Sequence, residues 1–330
     1  MKISVLGAGS WGTTLACLLS DNGHDVYLWE INEEAARKLD KERKLPFIGG
    51  DVPENIKVSS NLNIINETEA VVFVVPSHFL RSTLTSIKNL KIDISDKLVI
   101  SATKGIENET FLRCSQIIEE FYPALKDNVV ALSGPTHAEE VSKKIPTAIL
   151  SASKNQQNAI KCRDIFINNY FRVYTSNDIV SVELGASLKN VFAVACGIID
   201  GLAFGDNTKA AIVSRGITEL VKFGIALGGK ERTFYGLSGI GDLIVTCFSK
   251  HSRNRRLGEF LASGKTLAEA EKELKMVAEG VKTAISAYNL GKKLNIEIPI
   301  IDEIYSVLFK NKKPQQAVFD LMTRTPKSED

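Results

Sequence analysis

Six residues near the start of the chain, Gly7-Ala8-Gly9-Ser10-Trp11-Gly12, have the types and spacing of a loop that wraps a pyrophosphate. Gly7 permits a tight turn, Gly9 lets the backbone approach the phosphates, and Gly12 lets the following helix pack against the preceding strand. That helix would aim unpaired N–H groups and a partial positive charge at the anion. The motif is weak alone, but here it follows an apolar run, Ile3 to Leu6, and opens a helical one, Thr13 to Asn22. Glu30 lies 18 residues beyond Gly12, at the end of the second strand, where a carboxylate would bond the adenosine ribose hydroxyls. A carboxylate there would repel a 2′-phosphate, and Ile31 and Asn32 offer no compensating cation, so the expectation is NAD rather than NADP. The competing reading of Glu30 is a solvated residue at the start of the next helix, which Glu33 and Glu34 continue.

These residues need a scaffold, and the first half of the chain has the pattern of one. Short apolar runs alternate with helix-period segments, as in a parallel sheet covered by helices on both faces. Expected strands are Ile3 to Leu6, Asp25 to Trp29, Ala70 to Val75, Lys97 to Ser101, Val129 to Ser133, Thr147 to Leu150 and Phe171 to Tyr174. Most are too apolar to have a wet face, which suits strands buried on both sides. After residue 177 helical periodicity takes over, in Asp178 to Ile199, Lys209 to Leu227 and Gly280 to Leu294. The fold class is therefore α/β: a Rossmann-type doubly wound sheet over residues 1–177, then an all-helical C-terminal domain over 178–330.

Composition narrows the function classes. The 330 residues exceed what one core usually serves. A net charge of +2 provides no bulk drive toward nucleic acid or an anionic membrane, so any anion site must be built locally. Five scattered cysteines, Cys17, Cys114, Cys162, Cys196 and Cys247, suggest neither a disulfide framework nor a zinc site. No His, Cys and carboxylate cluster has ligand spacing, so no metal is expected. The reading is a cytoplasmic protein with no signal peptide and no segment of bilayer-spanning length.

Seven motifs in order resemble those of the NAD(P)-dependent glycerol-3-phosphate dehydrogenases, over nearly the whole chain. They are G-A-G-S-W-G-T at 7–13, V-V-P-S-H at 74–78, A-T-K-G at 102–105, S-G-P-T at 133–136, L-K-N-V at 188–191, G-I-G-D-L at 239–243 and S-R-N-R-R at 252–256. The resemblance implies interconversion of sn-glycerol 3-phosphate and dihydroxyacetone phosphate, in a cleft between a Rossmann domain and a helical domain. It further implies NAD or NADP as cofactor, a homodimer, and a role in supplying the phospholipid backbone. Many family members have a basic residue or histidine at the end of the second strand, where this chain has Glu30-Ile31.

The resemblance also assigns roles. Reducing a ketone needs a hydride at carbon and a proton at oxygen. Lys189 matches the family's proton donor, and Lys104 matches a lysine that contacts both substrate and cofactor. Asp242 matches a substrate-site carboxylate that would orient Lys189 or a substrate hydroxyl. Ser252, Arg253 and Asn254 would gather a guanidinium, a hydroxyl, an amide and helix N–H groups on the substrate phosphate, with Arg253 also touching the dinucleotide. Gly134 and Thr136 would approach the substrate. Ser10 and Trp11 would reach the cofactor phosphates, Phe79 would pack near the nicotinamide, and Ala138, Val277 and Glu279 would line the cofactor groove. For Phe79 and Val277 plain core packing is the alternative; His78 and His137 stand in a second tier.

Two other functions compete. A 3-hydroxyacid or sugar-acid dehydrogenase shares the glycine loop, helical second domain and catalytic lysine, but binds a carboxylate where this chain has a phosphate-like S-R-N-R-R cluster. A non-catalytic NAD(H) sensor would keep the glycines and have no need of Lys189.

Overall fold

Alternate side chains of the fourth strand enter different cores: Ala70 and Val72 pack with Leu15, Leu19 and Phe166, whereas Val71 and Phe73 pack with Leu84, Ile87 and Ile117. This period of two explains why the run is apolar at every position: both faces of the sheet are covered. The computed structural model describes residues 1–46, 48–274, 278–326 and 328–329.

The strands are β1 (Lys2–Leu6), β2 (Asp25–Trp29), β3 (Lys57–Ser59), β4 (Ala70–Phe73), β5 (Leu98–Ser101), β6 (Val130–Ser133), β7 (Thr147–Ala152) and β8 (Phe171–Ser176). They form one sheet in the order β3-β2-β1-β4-β5-β6-β7-β8. Ile3 pairs with Val26 on one side and Ala70 on the other, so the strand order reverses at β1. The glycine loop leaves β1 at this reversal, where open α/β sheets bind ligands.

The sheet departs from the expected all-parallel form at one joint. β7 runs antiparallel to β6, and β8 is parallel to β7. Between β6 and β7 the only regular element is a four-residue helix, too short to act as a covering crossover. Most strands are covered on both faces, but the edge strand is not: along β8, Phe171 and Val173 are buried while Arg172 and Tyr174 are exposed. The three-residue β3, with Lys57 exposed, was not among the expected strands.

The sheet's helices are α1 (Ser10–Asp21), α2 (Glu33–Glu42), α3 (Ser77–Asn89), α4 (Cys114–Phe121), α5 (Ala138–Val141) and α6 (Gln156–Phe166). After them come α7 (Ile179–Gly201), α8 (Gly205–Ala226), α9 (Glu231–Phe234), α10 (Asp242–Phe248), α11 (Arg253–Ala262), α12 (Leu267–Leu274), α13 (Glu279–Leu294), α14 (Pro299–Phe309) and α15 (Pro314–Met322). Two compact units result: Met1–Glu107 with Leu112–Glu183, and Asn108–Phe111 with Leu184–Asp330. The division falls inside α7, and the short segment at 108–111 joins the helical unit, where Asn108 accepts a hydrogen bond from Ser286 and Lys293 lies over Phe111.

Contrary to the sequence reading, one segment is long and apolar enough to cross a membrane. It is α7, with 23 residues, and its apolar window is wholly buried inside the protein. In the helical unit α7 and α11 cross at two glycines. A methyl group on Gly197 would lie 1.8 Å from the Arg255 carbonyl oxygen, and one on Gly258 would lie 2.1 Å from that of Val194. Asp200 of α7 reinforces the crossing by pairing with Arg255 and Lys209, each at 2.6 Å.

Candidate active site

In the first unit the site is made mostly of backbone. Gly7 has φ +113, which favours glycine, and its N–H donates to the Trp29 carbonyl at 3.0 Å. Gly12 already belongs to α1, and a methyl group there would sit 1.8 Å from the Gly7 carbonyl oxygen. Only glycine lets the helix start so close to the turn. Gly9 differs, because a methyl group there would meet nothing within 4 Å. It faces open space at the helix N-cap. No side chain caps that end and no acidic residue lies in the first turn, so the N–H groups and dipole are available to an anion.

A dinucleotide fits this cradle on a further observation. The Trp11 indole Nε1 is buried without a hydrogen-bond partner among the described residues, and a cofactor phosphate would supply one. Ser10 donates its hydroxyl to the Pro46 carbonyl at 3.0 Å. The Glu30 carboxylate accepts the Asn32 N–H at 3.1 Å, while Asn32 caps α2, so Glu30 precedes the helix instead of starting it.

The loops leaving β4, β5 and β6 are tied together. Thr103 donates to the Val75 carbonyl at 2.9 Å, and a methyl group on Gly105 would lie 2.2 Å from the Ser77 hydroxyl. Lys104 and Thr136 both donate to the Gly134 carbonyl, at 3.4 and 3.2 Å. Three residues expected at the substrate thus converge on one oxygen. Phe79 is 52% exposed beside the His78 ring, at 4.1 Å between centroids, which removes core packing as its explanation. Ala138 is buried at the start of α5, and His137 is that helix's N-cap. Thr103 and Ser77 were not singled out in the sequence, although both sit inside the quoted motifs.

In the second unit the site is made of side chains. Lys189 of α7 pairs with Asp242 at the start of α10, with side-chain exposures of 6% and 1%. Neither charge could be buried alone; removing one partner of such a pair costs about 3–5 kcal/mol. A wide turn over Leu237–Gly241 delivers Asp242, and it lies so close to α7 that a methyl group on Gly185 would be 2.4 Å from the Ser238 carbonyl oxygen. Thr246, one turn along α10, donates to the Asp242 carbonyl at 2.6 Å. Its spacing of four from Asp242 was the available signal, and it was missed.

The S-R-N-R-R segment divides its tasks. Ser252 caps α11 by accepting the Arg255 N–H at 3.2 Å. Arg255 is held by Asp200 and Glu259, and Arg256 lies over Phe260. Arg253 heads the helix with its side chain exposed. Asn254 is buried between Asn190 and Gly280. Glu279 is the first residue of α13, and Val277 lies outside the described residues. All five cysteines are free thiols; burial pushes those of Cys17 and Cys162 up to about 12, away from redox or ligand chemistry.

A doubly wound sheet with a glycine loop at its reversal, followed by a helical unit that buries a lysine–carboxylate pair, defines a dinucleotide-dependent dehydrogenase. Residues 2–159 match the model of the NAD-dependent glycerol-3-phosphate dehydrogenase N-terminus, and residues 178–319 match that of the C-terminus. The chain belongs to this family. It is 47% identical to a glycerol-3-phosphate dehydrogenase [NAD(P)+] of Fusobacterium nucleatum over 100% of this chain and 98% of that one. A protein of the same name from a Thermoanaerobacter species is 47% identical over 100% and 99%. Among solved structures, glycerol-3-phosphate dehydrogenase from Coxiella burnetii superposes with a TM-score of 0.91 at 33% identity, covering 98% of this chain and 99% of that one.

Proposed function

We propose that this member of the family interconverts sn-glycerol 3-phosphate and dihydroxyacetone phosphate, with Lys189 holding the proton that the carbonyl oxygen takes up or gives back. The observation that carries this reading is the buried Lys189–Asp242 pair, in a chain that resembles named glycerol-3-phosphate dehydrogenases from end to end. A sensor of the dinucleotide gains nothing from burying two charges in its other unit. Bound NAD(P)H supplies the hydride. Gly9, Trp11 and the first turn of α1 hold the pyrophosphate, and Glu30 takes the ribose hydroxyls. Phe79, Ala138 and Glu279 line the rest of the cofactor's path. Asp242 keeps the Lys189 ammonium in place while it faces the reacting oxygen. Arg253, with the N–H groups opening α11, takes the substrate phosphate, and Lys104, in the loop after β5 and bonded to the Gly134 carbonyl, orients the substrate.

The test is turnover of dihydroxyacetone phosphate with NADH against a panel of 2- and 3-oxo acids. Activity confined to the oxo acids overturns the assignment, because an arginine accepts a carboxylate as readily as a phosphate. The same reading makes the protein a cytoplasmic homodimer that supplies glycerol 3-phosphate for phospholipid synthesis. Exposed Phe204, Tyr235, Ile244 and Phe248 in the helical unit support association, which sedimentation equilibrium would measure.

A further inference from the structure

A side chain takes over where the ladder between β4 and β5 runs out. Phe73, the last residue of β4, stands opposite Ser101, the last of β5, and the same register sets Val75 opposite Thr103. The Ala102 N–H adds one bond beyond the strands, to the Phe73 carbonyl at 2.8 Å. Past it, the Thr103 hydroxyl shares its proton between the Val75 carbonyl, at 2.9 Å, and the Phe73 carbonyl, at 3.3 Å. Thr103 is 9% exposed, so water does not readily replace this link.

Both ends of the link reach working parts of the first unit. Val74 and Val75 are the backbone on which the glycine loop packs: a methyl group on Gly7 would lie 3.1 Å from the Val74 carbonyl group and from the Val75 nitrogen. The Val74 N–H also donates to the Leu6 carbonyl, at 2.8 Å. At the other end, Lys104 is the residue after Thr103. Gly105, on its far side, lies against Ser77, and the Gly105 carbonyl accepts the Cys114 thiol at 3.5 Å. The Lys104 backbone is thus gripped on both flanks, and the grip through Thr103 leads by way of Val75 to the glycine loop. A lysine has a long flexible stem, so its ammonium is placed only as well as its backbone is held.

We propose that Thr103 is a positioning residue: its hydroxyl fixes the Lys104 backbone against the glycine loop, and so sets the substrate that Lys104 orients against the dinucleotide that the loop holds. The proposal rests on the function given above, in which Lys104 orients the substrate.

Thr103→Val removes the hydroxyl and keeps the shape. The expected result is a rise in KM for dihydroxyacetone phosphate and a fall in kcat/KM of about tenfold or more. Thr103→Ser keeps the hydroxyl, loses only the methyl, and should restore most of kcat/KM. In the K104A background the hydroxyl has nothing left to place, so adding T103V should change kcat/KM no further. Unchanged kcat/KM in T103V overturns the proposal, as does T103S as impaired as T103V, or a double variant in which the two losses multiply. Should T103V not fold, Thr103→Cys, whose thiol is a weaker donor, takes its place and must still lower kcat/KM. Should the wild-type enzyme not reduce dihydroxyacetone phosphate, the function falls first. The placement of Lys104 is then read from its rate of acetylation by acetic anhydride, followed by peptide mass. A faster rate at Lys104 in T103V, with exposed lysines such as Lys91 unchanged, supports the proposal, and a rate no faster overturns it.

Discussion

The two units build their share of the chemistry from opposite materials. The first makes an anion site by leaving side chains out, at Gly7, Gly9 and Gly12. The second instead buries two charged side chains, Lys189 and Asp242, neither of which could be buried alone. A site of backbone is specified by geometry, so it leaves a spacing in the sequence. A site of buried charges is specified by what surrounds them, so it leaves little.

The sharpest way to break this contrast is Lys189→Ala, which should lower kcat by about 10²–10⁴-fold while NADH affinity holds. Loss of NADH binding in that variant would mean the two units do not divide the work as described. Asp242→Asn should also lower kcat, and both variants should lose about 3–5 kcal/mol in urea unfolding, because each leaves one charge of the pair buried without its counter-charge. In the glycine loop the order reverses. Gly9→Ala should melt like the wild type yet bind NADH about tenfold more weakly, whereas Gly12→Ala should lose stability and binding together. Equal melting temperatures for the two variants would refute the account of the loop.

A smaller effect is expected at Glu30. NADH should give a higher kcat/KM than NADPH, and Glu30→Ala should narrow the ratio about tenfold. An NADPH preference unchanged by that substitution would remove the role of the carboxylate.

A separate effect, on stability alone, comes from a carboxyl that the second unit buries in its protonated form. Glu219 of α8 accepts the N–H groups of Ile300 and Ile301 at the start of α14, at 2.7 and 3.3 Å. Burial pushes its carboxyl up to about 8 from an ordinary 4.5, against the opposing pull of those two bonds. The folded state thus holds a proton that the unfolded chain releases. The stability this group contributes is complete below pH 4.5 and declines as pH rises toward 8. Melting curves across that range should slope downward for the wild type and flatten in Glu219→Gln. An unchanged slope would place the proton elsewhere.

How much was legible in the sequence follows from the same contrast. The glycine loop, its strand and its helix could be read because the turn at Gly7 and the approach at Gly12 tolerate almost nothing else. The direction of β7 could not, because an apolar run such as Thr147–Ala152 looks the same parallel or antiparallel. The strand at Lys57–Ser59 is short, polar and at the edge, and buries too little to leave a pattern. Within α7 the residues from Leu184 to Ala195 are buried all round, so periodicity could not separate a buried Lys189 from a solvated one. Only the L-K-N-V match raised it. Asn190 escaped because its bond runs to another helix, with no spacing that names the partner, whereas Thr246 carried the signal of its four-residue spacing from Asp242.

The chain's two tryptophans, Trp11 and Trp29, both belong to the glycine loop and the strand end that it is bonded to. Trp29 is buried, with its indole N–H on the Ser60 carbonyl at 3.0 Å, and Trp11 opens α1. The protein's tryptophan emission is therefore a local signal from the cofactor cradle, and the helical unit is dark at those wavelengths. Nucleotide binding could be followed optically with no label, while a change confined to Lys189 and its neighbours would pass unseen.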